Sequence, residues 1–172
     1  MLVQSVAAIL DRDLRALRRE LEAYPDERDL WRLPPGVANS AGTLALHLAG
    51  NLQHYLGAVL GATGYVRDRP AEFAARDLPR AKLLQDSEAA RAAVRAGTAR
   101  LREQDLEADF PEVLGGARIQ LGDYLVHLVS HFSYHLGQID YHRRVVTGGV
   151  GSVDAVRPTE LSTARAATEK GS

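Results

Sequence analysis

Apolar residues recur at spacings of three and four along most of this chain. Over about residues 2 to 23, Val3, Ala7, Leu10, Leu14, Leu17 and Leu21 share one face, which predicts an amphipathic helix. The pattern stops before Tyr24-Pro25, and the stretch to Pro34-Pro35-Gly36 has the Pro and Gly density of a loop. Trp31 inside that loop is expected to plug one end of the core. Asn39 or Ser40 offers an N-cap for a second helix over about residues 41 to 61, with Gly61 and Gly64 near its stop.

Past that point Tyr65 to Phe73 mixes charge, Pro and two aromatics in a connection long enough to count as a candidate functional loop. A third helix is predicted over about residues 80 to 103, with Leu83, Leu84, Ala90, Val94 and Leu101 on its apolar face and Gly97 as its weak point. Residues 106 to 121 lose the helical period. Pro111 and Gly115-Gly116 there suggest a turn between two short extended pieces, Glu107–Val113 and Ala117–Leu121. The longest helix is predicted from about Leu121 to Thr147, closed by Gly148-Gly149, with Arg143 and Arg144 complementing the macrodipole in its last turns.

Four helices with apolar stripes and one hairpin-like insertion before the last of them predict an all-α, four-helix bundle. The long middle loop permits a crossover connection. The expected organisation is a bundle domain over residues 1–149 and a polar C-terminal tail over 150–172, packed on the bundle or on a neighbouring subunit. Only three isoleucines occur, Ile9, Ile119 and Ile139, against abundant Ala and Leu. That bias favours helix over sheet, because β-branched side chains lose rotamer freedom on a helix.

The chain's 172 residues suit one core, and 45% hydrophobic with 25% charged residues is an ordinary globular composition. A net charge of −1 supplies no field for nucleic acid or anionic lipid. No apolar run reaches membrane-spanning length. The apolar segment Leu2 to Leu10 has no basic residues before it and runs into Asp11, Arg12 and Asp13, unlike a secretory signal, so a cytoplasmic location is expected. Cysteine is absent. Disulfides, thiolate zinc sites and a cysteine nucleophile are thereby excluded, and any transition metal must sit on imidazole and oxygen.

All six histidines fall on two predicted helices: His47 and His54 on the second, and His127, His131, His135 and His142 on the last. Helical geometry places His127, His131, His135, Gln138 and His142 within an arc of about 80°, and His47, Asn51 and His54 within about 60°. Imidazoles at i and i+4 can share an ion, whereas those at i+7 or i+8 are more than ~10 Å apart, too far for bonds of ~2.0–2.1 Å. His47 and His54 therefore cannot serve one ion together, and neither can His127 and His135. Two ligand sets remain: one histidine of the second helix with His127 and His131, or with His131 and His135. His131 belongs to both.

Three imidazoles with an open fourth position is the pattern of a catalytic rather than a structural zinc-type site. Neither His-Glu-x-x-His nor the Glu-x-x-His of di-iron bundles occurs. The blander alternatives are buried packing for the histidines and for Tyr124, Tyr134 and Tyr141, interhelical hydrogen bonds for Asn51 and Gln138, and solvated loop charges for Arg67 and Arg69.

The segments His47-Leu48-Ala49-Gly50-Asn51-Leu52, Arg67-Asp68-Arg69-Pro70-Ala71-Glu72-Phe73 and His131-Phe132-Ser133-Tyr134-His135-Leu136-Gly137-Gln138-Ile139 resemble the DinB/YfiT-like metalloenzyme superfamily over about residues 5 to 147. The resemblance implies a four-helix bundle, often a homodimer, holding one divalent metal, zinc or nickel foremost, on His47, His131 and His135. It gives His54, His127 and His142 no ligand role, which leaves His54 and His127 as candidate acids or bases lining the pocket. Some such proteins are transferases or isomerases that use a low-molecular-weight thiol, and others are described as hydrolases. The expected function is a metal-dependent thiol transferase or hydrolase acting on a small molecule, with a non-catalytic metal-binding or scaffold dimer as the alternative.

Overall fold

In the computed structural model, which describes residues 1–166, the chain is an all-α bundle. Its elements are α1 (Leu2–Glu22), α2 (Ala41–Leu52), α3 (Arg69–Ala74), α4 (Arg80–Thr98) and α5 (Leu121–Thr147), and α2 runs on as a wider π-helical segment over Gln53–Leu60. Both α1 and α2 pack against α4 and α5. The helices thus form a ring in the order α1, α4, α2, α5, in which α1 and α2 are consecutive in sequence but diagonal in space. The diagonal steps are made by the connection over 23–40 between α1 and α2 and by the insertion over 99–120 between α4 and α5. The long middle loop that carries α3 joins the neighbours α2 and α4 and makes no crossover.

Leu10, Leu14, Leu17, Leu21, Leu48, Leu52, Leu56, Leu125 and Phe132 are the fully buried centre. At roughly 1.5–3 kcal/mol per buried side chain, this shared face is what holds the helices together. Ser40 caps α2 by accepting from Thr43 N at 3.2 Å. Trp31, in a 3₁₀ turn over Glu27–Trp31, is buried as expected and donates from Nε1 to Leu78 O at 3.0 Å.

Three local expectations change. The predicted loop from Tyr65 to Phe73 contains α3, a short helix capped by Asp68, whose Oδ1 accepts from Ala71 N at 3.0 Å, with Pro70 in its first turn. The third long helix stops at Thr98 rather than near 103. Gly97 is there for contact: a Cβ on it would overlap the carbonyl of Leu56, so α4 can approach α2 this closely only without a side chain. Arg143 is no exposed dipole complement. It is buried, with Nε 2.6 Å from Glu20 Oε2 and Nη2 3.0 Å from Asp140 Oδ1.

The insertion folds back as expected, with Phe110 N donating to Ile119 O and Leu121 N to Ala108 O, each at 2.8 Å. Its pairing stays at isolated bridges, and no strand occurs among the described residues. In the tail, Arg19 donates to Val153 O and Asp154 O, Arg15 to Glu160 O, and Arg143 to Gly151 O. The part of the predicted tail over 167–172 lies outside the described residues. No described helix is long and apolar enough to cross a membrane.

Candidate metal centre

The α2–α5 seam brings His47, His131 and His135 together, each offering a nitrogen within 4.8 Å of the others. Of the two ligand sets that spacing allowed, this is the one the fold assembles. Among the described residues no fourth histidine or carboxylate joins the cluster. His47 and His131 face each other with their Nε2 atoms 3.2 Å apart. Two ligands each ~2.0–2.1 Å from a tetrahedral ion would be about 3.3–3.4 Å apart, so the pair fits a shared cation.

The partners on the far sides of the rings fit the same use. Gln138 Oε1 lies 2.6 Å from His135 Nδ1, and a carbonyl oxygen can only accept, so that nitrogen carries the proton and Nε2 keeps its lone pair. Glu72 Oε2 lies 3.3 Å from His47 Nδ1 and leaves His47 Nε2 free by the same reasoning. This is the carboxylate–histidine arrangement that orients and strengthens metal ligands. Burial, reinforced by the nearby charges of His135, His47, His127 and Arg67, lowers the pKa of His131 to about 4. Burial also pulls His135 down, partly offset by its bond to Gln138. Both imidazoles are therefore neutral at pH 7, the form in which they bind metal.

The sequence assigns Glu72 no role and leaves Arg67 as a solvated loop charge. Both readings are corrected by a buried fork, in which Arg67 Nε and Nη2 reach Glu72 Oε1 and Oε2 at 2.7 and 2.8 Å. Arg67 Nη2 also lies 3.3 Å from His47 Nδ1 but donates to Glu72 Oε2 at 2.8 Å, which leaves the Nδ1 proton of His47 to the carboxylate. Burial pushes the Glu72 carboxyl up, but the bonds from Arg67 and His47 outweigh it and hold the group below its ordinary value. The available signal was Gly50 in the His-Leu-Ala-Gly-Asn run: a Cβ there would overlap the Glu72 carboxylate. Arg69 lies over the Phe73 ring instead, 4.9 Å from its centroid.

The other histidines separate. His127 is exposed and stacks between Tyr124 and His131, with centroids 5.6 and 5.8 Å away. His54 pairs with Glu112, Nε2 to Oε2 at 3.1 Å. His142 is structural: Nε2 donates to Arg32 O and Nδ1 accepts from the Tyr24 hydroxyl, both at 2.8 Å. Tyr124 is buried as packing predicts, whereas Tyr134 and Tyr141 are 65% and 72% exposed and contradict that expectation. Gln138 serves His135 on its own helix rather than bridging helices.

These features define a helical bundle with three clustered imidazoles that could hold one divalent metal. A model of the mycothiol-S-transferase family matches residues 5–148, and the chain belongs to that family, within the DinB/YfiT-like superfamily that its motifs resembled. No curated protein and no solved structure gave a match.

Proposed function

We propose that His47, His131 and His135 hold a divalent metal, zinc or nickel, and that the protein transfers a low-molecular-weight thiol, mycothiol by its family, onto a small molecule. The observation that carries this reading is the 3.2 Å approach of His47 Nε2 to His131 Nε2, with a proton acceptor behind His47. A cation bound there supplies the charge that lets an exogenous thiol ionise near neutral pH. The chain has no cysteine, so the sulfur must come from the cosubstrate.

The chain's own residues do the positioning. Glu72 accepts from His47 Nδ1, Arg67 fixes Glu72 by its two-pronged contact, and Gln138 sets the ring of His135. His127, exposed and stacked on His131, is the nearest free imidazole to take the thiol proton to solvent. His54, backed by Glu112, is the second candidate base. A homodimer and a cytoplasmic location belong to the same reading, and light scattering on the purified protein decides the former.

The test pairs elemental analysis with His131→Ala. One metal per chain in the wild type, lost in the variant together with thiol transfer, is the expected result. Full metal stoichiometry in the variant sinks the assignment.

A further inference from the structure

The seam between α2 and α5 has two ends of opposite character. Tyr55 meets Tyr124 at one end, with centroids 5.1 Å apart, and His47 meets His131 in the middle. At the other end Leu44 and Gln138 border one cavity, so the helices run antiparallel with the imidazoles between the two ends. The Tyr55 end is ionic: Arg67 lies over the Tyr55 ring, and His54 with Glu112 stands beside it.

The Leu44 end has a cavity lined by uncharged side chains, with Arg144, 5.9 Å from the Tyr141 ring centroid, paired to Asp140 nearby. Its cavity of about 400 Å³ is walled by Val37 and Asn39 from the loop before α2, Leu44 from α2, and Gln138, Tyr141 and Val145 from α5. Among the described residues no Asp, Glu, Lys or Arg lines it. His142 borders it with both ring nitrogens already engaged by Tyr24 and Arg32, so it offers the cavity no free polar atom. The volume lies in the range of small-molecule sites, roughly 300–1,000 Å³. Gln138 links cavity and centre at one remove: it borders the cavity and bonds to Nδ1 of His135, on the side of that ring away from the cluster, and none of the three histidines itself lines the cavity. Leu44 stands three residues before His47, so the cavity begins within about one helical turn, ~5.4 Å, of a cluster residue.

We propose that this cavity binds the acceptor of the transfer, an uncharged and largely apolar electrophile, beside the three histidines. The proposal rests on the thiol-transferase reading and deepens it, because joining two reactants requires holding both in line. A charged ligand would lose hydration here and meet no unpaired counter-ion among the lining residues. An apolar one gains contact with Val37, Leu44 and Val145, while the amides of Asn39 and Gln138 and the Tyr141 hydroxyl orient its polar atoms. In the reaction the thiol proton passes to solvent and the sulfur pair forms a bond to the electrophilic carbon. The bond from that carbon to its leaving group breaks, and its electron pair departs with the leaving group.

Binding to the full-length, metal-depleted protein without thiol tests the cavity separately from the metal reading. The probes are N-phenyl-1-naphthylamine, which is uncharged, and 8-anilinonaphthalene-1-sulfonate, the same skeleton with an anion, each followed by fluorescence. The neutral probe is expected to bind at least about tenfold more tightly. Val145→Arg, at a position 63% exposed, is expected to weaken the neutral probe by about tenfold or more and to strengthen the anionic one. Ala38→Arg, at another exposed lining position, must act in the same direction, with circular dichroism confirming that both variants are folded. Equal affinities for the two probes, or neutral-probe binding unchanged in both folded variants, would overturn the proposal even if His131→Ala had already confirmed the metal.

Discussion

Gln138 Oε1 lies 2.6 Å from His135 Nδ1 and fixes that ring with Nε2 turned away from the amide. The bond sits on an exposed face of α5, so removing it should leave the bundle intact. Gln138→Leu is therefore expected to keep its helical signal and urea midpoint while metal affinity falls about 10–100-fold. Competition with a chromophoric chelator measures this, and unchanged affinity would show that His135 needs no orienting partner.

Glu72 and Arg67 form a buried pair, with side chains 7% and 9% exposed. Breaking such a pair strands the surviving charge, so Arg67→Met is expected to cost about 3–5 kcal/mol in urea unfolding. Glu72→Gln keeps an oxygen that can accept from His47 Nδ1, and Glu72→Leu does not. The leucine variant should consequently lose more metal affinity than the glutamine variant. The reverse order would mean that His47 is oriented by something other than Glu72.

Burial pulls the pKa of His142 below its ordinary value of about 6.5. The unfolded chain then takes up a proton at a pH where the folded chain still has a neutral ring. The associated stability is present above about pH 6.5 and drains away as pH falls through and below that value. Because His131 and His135 shift the same way, wild type and His142→Gln are compared at equal metal loading. Urea midpoints at pH 7 and pH 5 should differ less in the variant.

Gly97 tests whether helix propensity or packing governs α4. Replacing an interior helical glycine with alanine ordinarily stabilises by about 1 kcal/mol. Here the new Cβ would meet the Leu56 carbonyl, so Gly97→Ala is expected to destabilise by about 1–3 kcal/mol. A rise in melting temperature would show that α4 can move away from α2 at little cost.

Much of this molecule was legible along the chain because helices advertise themselves locally. The leucine stripe of α1, the Ser40 cap and the Gly148 stop are set by spacing and backbone preference, and they reappear where the pattern put them. The same period placed His131 and His135 on one face and reduced the ligand sets to two.

What the sequence by itself determined, then, was the all-α class, the long helices and the face each imidazole occupies. Tertiary structure alone decided that α1 and α2 lie diagonally and that His47 meets His131 and His135 rather than His127. It also decided that Arg67 is buried on Glu72 instead of solvated, and that Gly97 and Gly50 are contact sites. The reason is physical: a residue's face repeats every few positions and is written locally, whereas the partner of a side chain depends on which helices become neighbours, and that depends on the burial of the whole core.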